Sequence, residues 1–218
     1  MRRLPILLIL ALGLAGCVGP KERGGARPRV SGPALSREPS ASETRQCQTD
    51  LADAGIRFSP VPPMRSAGGC SQIGAIRLDD MGLGLSGLGP VRCALAARFV
   101  AWARGPLQEA AAAWLGSPVI AVETFGSYAC RPVNNQSGGR LSEHGVADAI
   151  DLSAFRLADG RRITVLGSWF GADENARDFL RALHHSACAR FGVVLGPDAN
   201  AQHRDHVHID LAPGRYCR

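Results

Sequence analysis

The residue pattern from Cys47 to Arg218 predicts an α+β domain, with helices packed to one side of a mainly antiparallel sheet. Three observations point to it. Short β-branched runs recur along the chain, several of them joined by turns. Two longer stretches, 91–115 and 173–191, carry apolar residues at helical spacing. The remaining length, about 170 residues, suits one core and not two, and no internal repeat divides it.

The first helical stretch is Ala-rich, with Leu95, Phe99 and Trp102 at spacings of four and three, and Gly105-Pro106 should break it. Val119 to Val122 is a short β-branched strand leading into Gly126-Ser127-Tyr128. Asp148 to Phe155 and Arg162 to Leu166 are two further strands. Between them Ala158-Asp159-Gly160 suits a tight turn, so the pair should form a hairpin. Asp173 to Phe191 is a helix with acids in its first turn and Phe179, Leu180, Leu183 and Ala187 on one face, closing at Gly192. Val193 to Leu195 and His206 to Leu211 complete the strands.

The chain starts Met1-Arg2-Arg3 and continues in an apolar run, Leu4 to Ala15, too short to span a bilayer and sized for a signal-peptide core. It ends in Leu14-Ala15-Gly16-Cys17, a lipobox. Residues 1–16 are therefore expected to be removed and Cys17 to carry lipid, anchoring the protein to a bacterial membrane on the periplasmic side. Val18 after the cysteine, where aspartate would retain a lipoprotein at the inner membrane, favours the outer one. Residues 17–46 are rich in Gly, Pro, Ser and Arg without apolar periodicity, as in a flexible linker, leaving 47–218 as the folded domain.

The formal charge of +6 suggests a nucleic-acid binder until it is apportioned. Residues 18–46 hold six basic residues against three acidic ones, whereas Cys47 onward holds 17 arginines against 16 acids. The basic excess belongs to the linker, which argues against nucleic acid as a partner. Beyond Cys17 six cysteines remain, with no C-x-x-C among them. In an exported chain they should form three disulfides, by any of fifteen pairings.

Two segments carry the chemistry: Ser142-Glu143-His144-Gly145-Val146-Ala147-Asp148-Ala149-Ile150-Asp151, and His203-Arg204-Asp205-His206-Val207-His208-Ile209-Asp210. Two imidazoles and a carboxylate suit one zinc ion with an open position, the composition of a catalytic site. His144 and Asp151 on one helix would lie about 10.5 Å apart along its axis. A chelating pair at that spacing needs a loop folded back on a strand, and Gly145 offers a bend. His206 and His208 share a strand face, so one can ligate while the other reaches substrate or water. Asp210 shares that face and could fix an imidazole tautomer. His203 should lie on the entering loop, lining the cleft.

The pattern Ser142-x-His144-x-x-Ala147-x-Ala149-x-Asp151 resembles the signature of the zinc D-Ala-D-Ala metallopeptidases, and His206-Val207-His208 resembles the H-x-H of the wider superfamily that includes lysostaphin-type endopeptidases and the Hedgehog domain. With the lipobox, Arg-rich spacer, scattered cysteines and Tyr128-Ala129-Cys130-Arg131, the chain is similar to the bacterial extensin-like C-terminal domain family.

The resemblance implies His144, Asp151 and His208 as zinc ligands, His206 or Asp205 as proton acceptor, and Arg131 as the group that holds a substrate carboxylate or a developing oxyanion. Two positions depart from the peptidase pattern. Ala147 stands where the signature has glycine. Asp205 stands where the carboxypeptidases keep a glutamate base. The implied protein is a monomeric zinc peptidase acting on peptidoglycan peptides. The alternative, from the same resemblance, is a wall-binding protein that keeps the fold without the reaction.

Overall fold

The computed structural model describes residues 35–218, and its first helix, α1 (Ala41–Asp53), starts inside the expected linker. The expected signal peptide, the lipid attachment at Cys17 and the linker up to residue 34 lie outside the described residues. Residues 41–46 are helical. A capping box nucleates the helix: Glu43 N–H donates to Ser40 Oγ at 3.2 Å, and Ser40 N–H to Glu43 Oε2 at 2.7 Å. With Leu51 alone buried, α1 has little apolar surface of its own, and the Cys47–Cys93 disulfide ties it to the domain.

Strands β1 (Arg57–Pro60) and β2 (Ala75–Asp80) and, after β3 (Gly84–Ser86), β4 (Val91–Arg92) follow. A three-stranded antiparallel sheet takes the order β1-β2-β4. The helical stretch starts later than expected, at α2 (Cys93–Arg104), breaks at Gly105-Pro106 as expected, and continues as α3 (Pro106–Leu115), where proline takes the first position of the second helix.

Next come β5 (Val119–Gly126), β6 (Ala149–Leu157), β7 (Arg162–Thr164), α4 (Val165–Ser168), α5 (Glu174–Cys188), β8 (Val193–Leu195), β9 (Val207–Asp210) and β10 (Tyr216–Cys217). The larger sheet has seven strands in the order β10-β8-β9-β6-β5-β3, with β7 also on β6. Antiparallel pairing holds its centre. Two edge strands are the exception to the mainly antiparallel pairing expected: β3 runs parallel to β5 and β10 parallel to β8, so the sheet is mixed. Both parallel strands come from segments distant in sequence from their partners, which no hairpin turn constrains.

β6 organises the domain. It pairs with β5 along one edge; on the other, its first half pairs with β9 and its second with β7. Register steps from Glu123↔Ala154 to Thr124↔Leu152, leaving Ser153 as an extra residue. That bulge lets Ile150, Leu152, Phe155 and Leu157 all join the core. Phe155 meets Phe179 of α5 edge-on, with ring centroids 5.5 Å apart. The expected face of α5, Phe179, Leu180, Leu183 and Ala187, is buried, and Asp173 caps the helix by accepting from Ala176 N–H. Cys70–Cys130 and Cys188–Cys217 complete the disulfides. Among the described residues no helix is long and apolar enough to cross a membrane.

Candidate metal centre

β5 ends at Gly126, opposite Asp151 on β6, and Asp151 in turn lies opposite His208 on β9. Antiparallel register alone thus sets two of the expected ligands side by side. The third arrives on a 3-10 turn, Glu143–Val146, which Ala147 reverses into β6 from a left-handed conformation (φ 57°, ψ 28°). This is the folded-back loop that the seven-residue spacing requires. The bend differs from expectation in one respect: the positive φ falls on Ala147, while Gly145 is needed for close approach, since a Cβ there would lie 2.6 Å from Leu141 Cδ1.

The three candidate ligand atoms converge. His144 Nε2 lies 3.2 Å from Asp151 Oδ1 and 3.1 Å from His208 Nδ1, and the last two are 3.0 Å apart. Ligands about 2.0–2.1 Å from a tetrahedral ion stand about 3.3 Å from one another, so the triangle is close to the size zinc needs. Tautomers agree with this. His144 Nδ1–H donates to the Ser127 carbonyl at 2.8 Å and His208 Nε2–H to Asp210 Oδ2 at 3.0 Å, which leaves a lone pair on each nitrogen facing Asp151. Three acceptors this close repel one another unless a cation or a proton joins them. Without a metal the proton does so: burial opposes charge on His208, but hydrogen bonds to Asp151 and Asp210 outweigh it and raise the imidazole to about 9. Asp151, despite burial, is held well below the usual carboxylate range by His144 and His208. The donor set fits zinc.

Asp210 is also fixed by its other oxygen, which accepts from Val193 N–H at 3.0 Å and Ala212 N–H at 2.9 Å. His206 precedes β9. Its Nδ1–H donates to Asp205 Oδ1 at 2.9 Å, so Nε2 carries the lone pair and stands 3.5 Å from Asp151 Oδ1, at the edge of the triad. Asp205 therefore pairs with His206. His203, expected on the entering loop, lies buried in a 3-10 turn with its ring 5.0 Å from that of His206. Burial, with the His208 and His206 imidazoles beside it, lowers its pKa to about 4.

Arg131 lines the same cavity as His144 and His208, a space of about 480 Å³ walled on one side by Arg215 and Tyr216 of the C-terminal tail. Three features escaped the sequence. The Ser127 carbonyl that orients His144 is backbone, and residue type does not specify it. Phe125, 62 % exposed, sets its ring edge-on to His206 at 5.8 Å, and a single exposed aromatic has no sequence signature. Arg92, Glu143 and Asp148 form a buried charged cluster behind the His144 turn, legible only as charges in unusual places. Burial pushes both carboxyls up, that of Asp148 to about 7.

A family model described as the extensin-like protein C-terminus matches residues 45–218. No curated protein and no solved structure matches the chain.

Proposed function

The chain belongs to the extensin-like C-terminal family, and from its three converging ligands we propose that it is a zinc-dependent hydrolase cutting amide bonds in peptidoglycan peptides. The observation that carries the proposal is the triangle of His144 Nε2, Asp151 Oδ1 and His208 Nδ1, with both imidazole tautomers fixed from behind. The fold is read here as that of the zinc D-Ala-D-Ala peptidases. The chain works as a monomer, held by lipid on Cys17 to the periplasmic face of the envelope, at the outer membrane.

Zinc held by these residues would supply Lewis acidity and lower the pKa of a coordinated water. His206 Nε2 takes the proton from the attacking water and returns it to the leaving amine. Asp205 acts through His206: by accepting from Nδ1–H it fixes the tautomer and stabilises the imidazolium that forms, a better role for its short side chain than direct proton transfer. Arg131, on the cavity wall, binds the substrate's carboxylate or the developing oxyanion. Phe125 offers an apolar edge beside the reacting group.

Intact sacculi incubated with the protein test this. Release of peptide fragments should require zinc and fall at least 100-fold in His206→Ala, the loss expected when a general base is removed. Fragment release that survives both chelation and His206→Ala would overturn the mechanism. Sacculus binding without any release would leave a wall-binding protein.

A further inference from the structure

Arg92 is the last residue of β4 and is 3 % exposed, an unusual place for a guanidinium. Its backbone N–H donates to the Ala147 carbonyl at 2.7 Å, and its Nη1 lies 3.8 Å from Asp148 Oδ2. The same Nη1 donates to the carbonyl of Arg37 at 3.1 Å. A second strut runs beside it: Ser36 N–H donates to Glu143 Oε1 at 3.0 Å. Glu143 and Asp148 bracket the turn that holds His144, and Asp148 N–H closes it by donating to the Glu143 carbonyl at 3.0 Å.

We infer that Ser36, Arg37 and Arg92 are positioning residues for the metal centre, and that the stretch just before α1 locks the His144 turn in its ligating geometry. The inference rests on the zinc reading above. Its physical basis is that the cluster has no spare partners. Arg92 Nε and Nη2 are already buried with no hydrogen-bond partner among the described residues. A bond lost between residues 36–37 and the cluster must then be replaced by water, which enters only if the turn opens. Opening it carries His144 Nε2 away from Asp151 and His208.

The test uses the full chain. Ser36→Pro removes the N–H that, among the described residues, donates to the Glu143 carboxylate, and Arg92→Lys keeps the charge but loses the planar guanidinium whose Nη1 alone meets both Asp148 and the Arg37 carbonyl. Ser40→Ala uncaps α1 without touching the turn and serves as the control. Two readouts are needed: zinc affinity by competition with a chelator, and amide hydrogen exchange of residues 143–148 in zinc-free protein. Ser36→Pro and Arg92→Lys are each expected to weaken zinc binding by about 10-fold, the usual effect of losing a group that orients a ligand, and to speed exchange at 143–148. Ser40→Ala should change neither. Wild-type zinc affinity and unchanged exchange in both variants would overturn the inference. If the wild-type chain binds no zinc, the zinc reading fails by itself, and exchange at 143–148 alone decides whether residues 36–37 hold the turn.

Discussion

Ala147 is fully buried at φ 57°, a conformation that brings the Cβ of an L-residue against the following carbonyl. Glycine, with no Cβ, would take this conformation without that clash. Replacing alanine by glycine usually costs about 1 kcal/mol, because the unfolded chain gains backbone freedom. Here relief of strain works the other way, so Ala147→Gly should leave stability unchanged or raise it by up to about 1 kcal/mol in denaturant unfolding. A loss larger than that would contradict the strain argument. Asp148 allows a pH prediction. Its carboxyl is raised by burial to about 7 from an ordinary 3.8, the ion pair with Arg92 recovering only part of the difference. Between these values the folded state binds a proton that the unfolded chain has released. Stability should therefore fall as pH rises from about 4 through 7, and Asp148→Asn should flatten that slope in urea melts read across the range. An unchanged slope would mean Asp148 is ionised in the folded protein throughout.

Elements differ in how much they depend on their own sequence. The hairpin of β6 and β7, the helix α5 and the break between α2 and α3 were legible because turn residues and apolar spacing agree within each segment. α1 and β1 to β3 were not. β1 and β3 bury no residue fully, and β10 is a two-residue strand held by parallel pairing and a disulfide. Their signals are tertiary. The Ser40–Glu43 capping box is the local mark of α1, set within a polar stretch that has no apolar periodicity. The disulfides compensate for weak local preference, which makes their removal informative. Cys188–Cys217 closes a separation of 29 residues, for which loop-closure entropy gives about 3.6 kcal/mol, so the double serine variant should lose stability of that order. Cys70–Cys130 has a second effect. Cys70 Sγ would lie 3.3 Å from a Cβ at Gly145, and Ser71 N–H donates to the Gly145 carbonyl at 2.8 Å, so this bridge backs the His144 turn. Serine replacements there should weaken zinc binding as well as stability. Equal zinc affinity in both double variants, read by chelator competition, would show that the turn does not need that backing.

Across the whole molecule, the centre draws on residues 144, 151 and 208, the last 57 positions beyond its partner across the β6–β9 ladder. The sequence marked these three residues because each half of the set sits in a short, histidine-bearing segment, and the fold brings their side chains together. It could not reveal the cluster of Arg92, Glu143 and Asp148, since Arg92 comes from the other sheet and meets the turn only in the folded state. A site assembled over such separations does not exist in the unfolded chain, so a metal that binds it stabilises the fold by mass action. At free zinc about 100 times the dissociation constant the gain is about 2.7 kcal/mol. For a domain of this size each kcal/mol moves the melting temperature by about 2–4 °C, so chelation should lower Tm by about 5–10 °C. His208→Ala should melt at one temperature with or without zinc, because Asp151 and His144 alone leave two ligands. A wild-type Tm indifferent to zinc and chelator would mean that the triad closes on a proton, as His208 near 9 permits, and that no metal belongs to the folded state.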